Sequence, residues 1–425
     1  MPYRRRNQTK TAWIRSVLPY SIALGPVSTI FQLLILNLNG TVVDVGVALT
    51  IYNIITIPAS IFWGFVTDRF QKRKPLILIS YTLMGGLLLT FFFASTVYSL
   101  SLLYGVFSLA TTASTTPLNL LVMETERKKK WASAFARLSM MTSIGQTTGL
   151  ILSMIWASFY QLSYIVIFLA ILSLISAGLS LIMIKEPAIF FERQVIALTK
   201  ISLFERLKTV PHFFLRIPRL NDFKRTFRTL RYDLTRQTSL LYISICSFYL
   251  ASGLFNTSLV PSLQANQISS LLIFLVITIG MLVQIISFRY TGVFAEKLVL
   301  VKASVVGLAL RSITYGILGV SALTVSGIWY FVAVLIFYPL AAGVAYAIYY
   351  TASNTMVFNT LGHMRQGYSL GVYSALVGIA MMSGSLISGF TSFYIGYSAT
   401  FILAAVFLAI SIWLISLLSH KRLHY

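Results

Sequence analysis

The chain has 425 residues, of which 57% are hydrophobic and only 10% charged, and its mean hydropathy is +0.83. Soluble domains carry about 25% charged residues, so there is too little polar surface to cover a water-soluble body of this size, and lipid must solvate much of it. The net charge of +23 does not indicate nucleic acid as a partner. The basic residues sit in short clusters between long apolar runs, which is the pattern of loops on the inner side of a membrane. The single cysteine, Cys246, lies inside an apolar run, which excludes an intrachain disulfide and a cysteine-built metal site.

A membrane-spanning helix needs about 20 apolar residues. Twelve runs of that kind follow one another at 17–38, 43–66, 76–95, 97–122, 132–157, 161–184, 239–262, 268–290, 301–321, 326–352, 369–394 and 397–418. The basic start, Met1 to Lys10, leads into an apolar run that continues past Leu36 without an Ala-x-Ala-like cleavage site, so it reads as a first membrane helix. Charge tests the layout: all but one of the 33 Lys and Arg fall on one side of the twelve spans, and the opposite side holds only Asp44. This asymmetry predicts an even number of spans with both termini in the cytoplasm. The expected fold class is all-α, twelve transmembrane helices in two six-helix bundles (1–184 and 239–425) joined by a basic cytoplasmic loop at 185–238. Within that loop Phe223, Phe227 and Leu230 recur at helical spacing with Lys224, Arg225, Arg228 and Arg231 between them. The pattern suits a basic helix on an anionic inner leaflet, or else a solvated linker.

The two halves echo each other. Gly64-Phe-Val-Thr-Asp68-Arg69 after the second span and Gly292-Val-Phe-Ala-Glu296-Lys297 after the eighth both read Gly-x-x-x-acid-base, 228 residues apart. The stretches Glu126–Ser133 and Gly362–Ser369 can be laid on one another in the same way. Repeated six-helix halves are a known transporter plan, with the solute site at mid-membrane between them.

With these features the chain resembles the major facilitator superfamily over its whole length. The family's motif between helices two and three, roughly Gly-x-Leu-Ala-Asp-Arg-x-Gly-Arg-Lys, is matched at Gly64, Asp68, Arg69 and the basic pair Lys72-Arg73, with Gln71 in place of the second glycine. The resemblance implies a conformational gate at the cytoplasmic edge, made of Gly64, Asp68, Arg69, Arg73, Glu124, Gly292 and Glu296. Gly64 would let a neighbouring helix approach closely, Asp68 would face the start of the eleventh helix, and Glu124 would pair with a base such as Arg73. The plain alternative is charge that only holds the loop inside. Gly145 and Gly149 in the fifth span lie where some exporters of the superfamily carry a Gly-Pro motif, but no proline is present, and packing is the simpler reading.

In the family's fold, helices one, four, seven and ten line the cavity. The candidates there are Gln32, Thr112 (with Thr111 and Thr115), Asn256, Tyr346, Tyr349 and Asn354, and Asn53 and Gln284 in helices two and eight add to them. Tyr346, Tyr349 and Tyr350, spaced i, i+3, i+4, are expected to share one helix face and to offer an aromatic wall with hydroxyl tips. Arg311 lies about ten residues into helix nine, roughly 15 Å deep. A charge at that depth is costly and raises a functional question. It could meet carbonyls, a water cavity or an anionic solute, or snorkel to the edge.

The reading that follows is a secondary transporter of a small organic solute working by alternating access. The alternatives are an anion carrier using Arg311 and a non-transporting receptor or assembly partner built on the same fold. No catalytic set, metal-spaced cluster or G-x-x-x-x-G-K-[ST] loop occurs, so no enzyme, metal, cofactor or ATP drive is expected. All ten carboxylates lie in loops or at helix ends, which favours a facilitator or exchanger over proton coupling, unless Asp68 and Glu124 carry the proton. Expected partners are the small-molecule solute and the lipid bilayer. The protein is expected as a monomer in the plasma membrane, with no nucleic acid.

Overall fold

The structure, a computed structural model, describes residues 12–70, 72–125, 131–184, 236–294, 300–360 and 366–419. It is helical throughout these residues, and twelve helices are long and apolar enough to cross a membrane. Inside lipid every backbone N–H and C=O must be satisfied within the segment, and the helix does this for a run of this hydropathy. In chain order they are α1 (Val17–Leu24 and Val27–Asn37, entered through a 3-10 turn at Ala12–Ser16), α2 (Val42–Phe70), α3 (Lys74–Phe92), α4 (Val97–Thr125), α5 (Trp131–Phe159) and α6 (Leu162–Met183). The second six are α7 (Arg236–Ala265), α8 (Ser270–Phe294), α9 (Leu300–Thr324), α10 (Gly327–Pro339, a π-helical turn Leu340–Ala345, then Tyr346–Thr360), α11 (Gln366–Tyr394) and α12 (Tyr397–Ser419). All twelve expected spans are present. Two are irregular in ways the apolar pattern does not show: α1 breaks at Gly25-Pro26, and α10 widens by a π turn directly after Pro339.

Twelve crossings put the first turn of α1 and the last turn of α12 on one face, here the terminal face; the short connections α1–α2, α3–α4 and their counterparts lie on the turn face. Phe93, Tyr98, Phe159, Trp329 and Tyr394 are strongly exposed at the turn-face ends of their helices, as in the aromatic belt of a membrane interface. Asp44, the one acid expected there, closes a capping box. Its carboxylate accepts from the Thr41 N–H at 2.7 Å and from the Thr41 hydroxyl at 2.8 Å, while the Asp44 N–H donates to Thr41 Oγ1 at 3.4 Å.

Helices α1–α6 pack among themselves, as do α7–α12, and the two bundles meet chiefly through α2 with α11 and α5 with α8. Lipid supplies no hydrophobic drive between helices, so small residues and interhelical hydrogen bonds do the joining. Serine hydroxyls reach carbonyls on neighbouring helices: Ser80 to Ala110 and Ser173 to Tyr81, both at 2.7 Å, Ser247 to Phe407 at 2.6 Å and Ser398 to Gly319 at 2.6 Å. Gly145 is a true contact glycine, since a Cβ there would lie 2.5 Å from the Ser21 Cβ. A Cβ on Gly25 would lie 2.5 Å from the Cα and carbonyl oxygen of Gln146. Gly145 and Gly149 thus seat α5 against the break in α1, a packing role.

The duplication extends to the backbone. Asn39 (φ 60°) and Gln267 (φ 61°), 228 residues apart, both take the left-handed conformation that ends α1 and α7. Around them the same hydrogen bonds recur at the same offset: Gly40 N–H to the Ile35 carbonyl at 3.0 Å, and Ile268 N–H to the Leu263 carbonyl at 3.1 Å. The structure is thus two pseudo-symmetric six-helix bundles.

Candidate functional site

Near the turn face the two bundles approach closely through α2 and α11. Gly46 on α2 meets Gly389 on α11 so closely that a Cβ on Gly46 would lie 2.9 Å from the Gly389 Cα and 2.9 Å from the Ser385 carbonyl oxygen. The contact continues inward through Thr50, whose hydroxyl is 3.5 Å from the Met382 carbonyl, to Ile57 against Gly378. A Cβ on Gly64 would meet nothing within 4 Å. Among the described residues no atom makes the close approach expected at Gly64, whereas Gly46 and Gly389 meet closely near the other end of the same helices.

Of the other residues expected to form the edge gate, Arg73 is buried, and its guanidinium donates to the Thr67 carbonyl, which ties the start of α3 back to the end of α2. Asp68 and Arg69 lie in the last turn of α2 and Glu124 in the last turn of α4. Gly292 lies in the last turn of α8, the side chains of Asp68, Arg69 and Glu124 fall outside the described part of the structure, and so does Glu296. So do the amphipathic pattern at 223–231 and most of the echo between 126–133 and 362–369.

Asn256 marks the interior. It sits nine residues before the end of α7, and it is exposed although its neighbours Phe255, Thr257 and Ser258 are fully buried. A primary amide turned to hydrocarbon at that depth would cost several kcal/mol, so it faces the space between the bundles. Tyr249, seven residues earlier, shares this face of α7. Gln32 on α1 is buried, and its side-chain carbonyl has no partner. Asn53 and Thr112 are half-buried and bond back to their own helices, at Leu49 and Ser108. Gln284 is half-buried on α8, where Gly343 of the π turn packs against its backbone.

The aromatic residues of α10 divide. Tyr350 is 37% exposed and Tyr346 half-buried, and their rings stack at 5.3 Å with Phe288 of α8 edge-on to both. Tyr349 does not share their wall: it is 1% exposed, its ring lies 4.1 Å from Phe248, and Gly307 of α9 presses against its backbone. The i, i+3 relation holds along the helix, but α7 and α9 both pack on that side of α10 and enclose Tyr349. One turn beyond Tyr350, Asn354 accepts a hydrogen bond from the Tyr373 hydroxyl of α11 at 3.4 Å.

Arg311 is 4% exposed and reaches neither a set of carbonyls nor the membrane edge. Its Nε donates to the Tyr315 hydroxyl at 2.8 Å. Its guanidinium carbon lies 4.7 Å from the Phe248 ring centre, 5.2 Å from Tyr315 and 5.5 Å from Tyr346. Each ring contributes about 0.5–2 kcal/mol to a desolvated cation. One terminal nitrogen, Nη1, is buried without a hydrogen-bond partner. The structure thus brings Arg311 and Tyr346 together, and it adds Phe248, Tyr315, Tyr249 and Tyr373, which sequence reasoning passed over. The seven-residue spacing of Tyr249 and Asn256 was the available signal for one of them. In the first bundle Tyr104 stacks between Phe31 at 3.9 Å and Tyr52 at 4.6 Å, an aromatic column that was likewise not anticipated.

Comparison with known proteins agrees with this architecture. The family model of the Major Facilitator Superfamily matches residues 16–229 and 241–424. Among solved structures, the nucleoside transporter NupG superposes with TM-score 0.66 at 12% identity, over 97% of this chain and 100% of that one. A POT family transporter in complex with 5-aminolevulinic acid superposes with TM-score 0.69 at 12% identity, over 97% and 95%. At such identities the likeness concerns the fold. No curated protein sequence matches the chain. With both halves of the chain covered by the family model and twelve membrane-length helices in two bundles, the chain belongs to the major facilitator superfamily and is a multi-pass secondary transporter rather than an enzyme.

Proposed function

We propose that the protein moves a small organic solute by alternating access, through the space onto which Asn256, Tyr249, Tyr346 and Tyr350 open. The observation that carries this reading is the exposed amide of Asn256 in the middle of a helix whose adjacent residues are fully buried. It is supported by the close glycine contact of α2 and α11 near the turn face, with no described atom within 4 Å of a Cβ placed on Gly64. In the opposite state Gly64, Asp68, Arg69, Arg73 and Glu124, with Gly292 and Glu296 as their counterparts, would form the closing contacts at the terminal face. The basic clusters put that face in the cytoplasm under the positive-inside rule, with residues 185–238 as the connector on the anionic leaflet and the plasma membrane as the site of action. A monomer suffices for this mechanism, since both bundles lie in one chain.

Uptake into proteoliposomes of a broad panel of labelled organic anions, cations and neutral solutes tests the proposal. Saturable flux with counterflow is expected for at least one solute, with about tenfold weaker affinity after Asn256→Ala for a solute hydrogen-bonded there. Absence of saturable flux and of counterflow across the panel would leave the receptor or assembly reading in its place.

A further inference from the structure

Arg311 carries a permanent positive charge in the membrane interior, and Nη1 is buried with no acceptor. Structural buried arginines are normally paired or fully hydrogen-bonded. Here three rings surround the cation and one phenol accepts from Nε, which leaves both N–H groups of Nη1 without an acceptor. The ring of Tyr346 separates the guanidinium from the half-open wall formed by Tyr346, Tyr350 and Phe288. Tyr346 is also the first residue after the π-helical turn Leu340–Ala345. A π turn holds one residue more than the regular ladder, and such turns occur frequently at functional sites.

We infer that Arg311 binds the charged group of the transported solute and that the solute is an organic monocarboxylate with a flat body. The carboxylate accepts from Nη1, and the flat body packs against the aromatic wall at Tyr346 and Tyr350. One negative charge is specified because Arg311 is the one Lys or Arg that the sequence places away from the loops and span ends, and no histidine lies in a span. A phosphate dianion would keep a second, unmatched charge in a low-dielectric site. A flat body is specified because the wall of Tyr346, Tyr350 and Phe288 is aromatic, and aromatic walls take planar groups offset-stacked or edge-on at centroid separations of 4.5–7 Å, roughly. This inference rests on the transport reading and names its substrate class.

The test is flux in proteoliposomes of benzoate, nicotinate and indole-3-acetate, each beside its own amide, with propionate as a carboxylate lacking a ring and phenylphosphate as a dianion. Wild-type protein is expected to carry at least one of the aromatic carboxylates saturably and to prefer it to its amide by about tenfold or more, the discrimination of one charge-assisted hydrogen bond. Arg311→Gln should abolish that preference, and Arg311→Lys should keep part of it. Tyr346→Ala should raise KM for the ring-bearing carboxylate about tenfold more than it raises KM for propionate, the difference expected of an aromatic wall. If Arg311→Gln does not yield folded protein, judged by a single symmetric elution peak, the ring selectivity of Tyr346→Ala decides the matter. Carboxylates carried no better than their amides, or carried equally by Arg311→Gln, would overturn the inference. Flux of neutral or cationic solutes alone would overturn it and leave the transporter reading standing, whereas no saturable flux of any solute would remove both.

Discussion

Replacing Gly46 with leucine should push the transporter toward the state that is open at the turn face. A Cβ on Gly46 would sit 2.9 Å from the Gly389 Cα and 2.9 Å from the Ser385 carbonyl oxygen, while carbon atoms rest at about 3.5–4.0 Å. Even the first added carbon forces α2 and α11 apart by more than half an ångström, roughly, and the rest of a leucine side chain cannot be housed between two backbones. Overpacking of this kind costs about 1–3 kcal/mol. It bears on the closed state alone, because the two faces separate when the turn face opens. A shift of that size changes the ratio of the two states by about 5–150-fold. The assay uses an Asn256→Cys reporter in a Cys246→Ser background, labelled with a membrane-impermeant thiol reagent from one side of the membrane at a time. Without the leucine, labelling should come from the terminal face. With Gly46→Leu, the rate from the turn face should rise by about the factor above, the thiol being reachable only while that face is open. Unchanged rates from both sides, or a fall in thermal stability without any change in access, would refute the view that the Gly46–Gly389 contact is specific to one state.

The same geometry makes Gly25 and Gly64 a matched pair. Gly25→Ala meets the Gln146 backbone at 2.5 Å and should lower stability by about 1–3 kcal/mol, read as a drop in thermal midpoint in detergent, while Gly64→Ala meets nothing within 4 Å and should leave the midpoint unchanged. Asp44→Ala removes the capping box at the start of α2 and should cost about 1 kcal/mol by the same measurement. Asp68→Asn should slow transport and leave the thermal midpoint unaltered if the carboxylate closes the terminal face in the opposite state; unaltered transport would mean that it only anchors the loop. Arg311→Gln gives up the ring contacts and the Tyr315 hydrogen bond but also relieves an unpaired buried cation, so the thermal midpoint of the solute-free protein should move little, and a marked fall would show that the ring contacts outweigh the unpaired charge.

The sequence by itself determined the solvent, the helix count and the symmetry. Apolar runs of membrane-spanning length leave no other secondary structure, and the one-sided distribution of lysine and arginine sets the parity of the crossings. The repeat at Gly64 and Gly292 reappears in the left-handed turns at Asn39 and Gln267, because a duplicated segment keeps its turn chemistry together with its motif. The site was legible only in part. Asn256 and Tyr346 could be named from the family's arrangement of helices, but helical spacing also grouped Tyr349 with them, since one helix cannot report that α7 and α9 cover one side of it. Arg311 stood out as a charge too deep to be accidental, yet its three ring partners come from α7, α9 and α10 and share no sequence pattern. Which glycines touch was likewise decided by tertiary packing alone. Gly46 and Gly64 lie on the same helix, and only the approach of α11 near Gly46 sets the two apart.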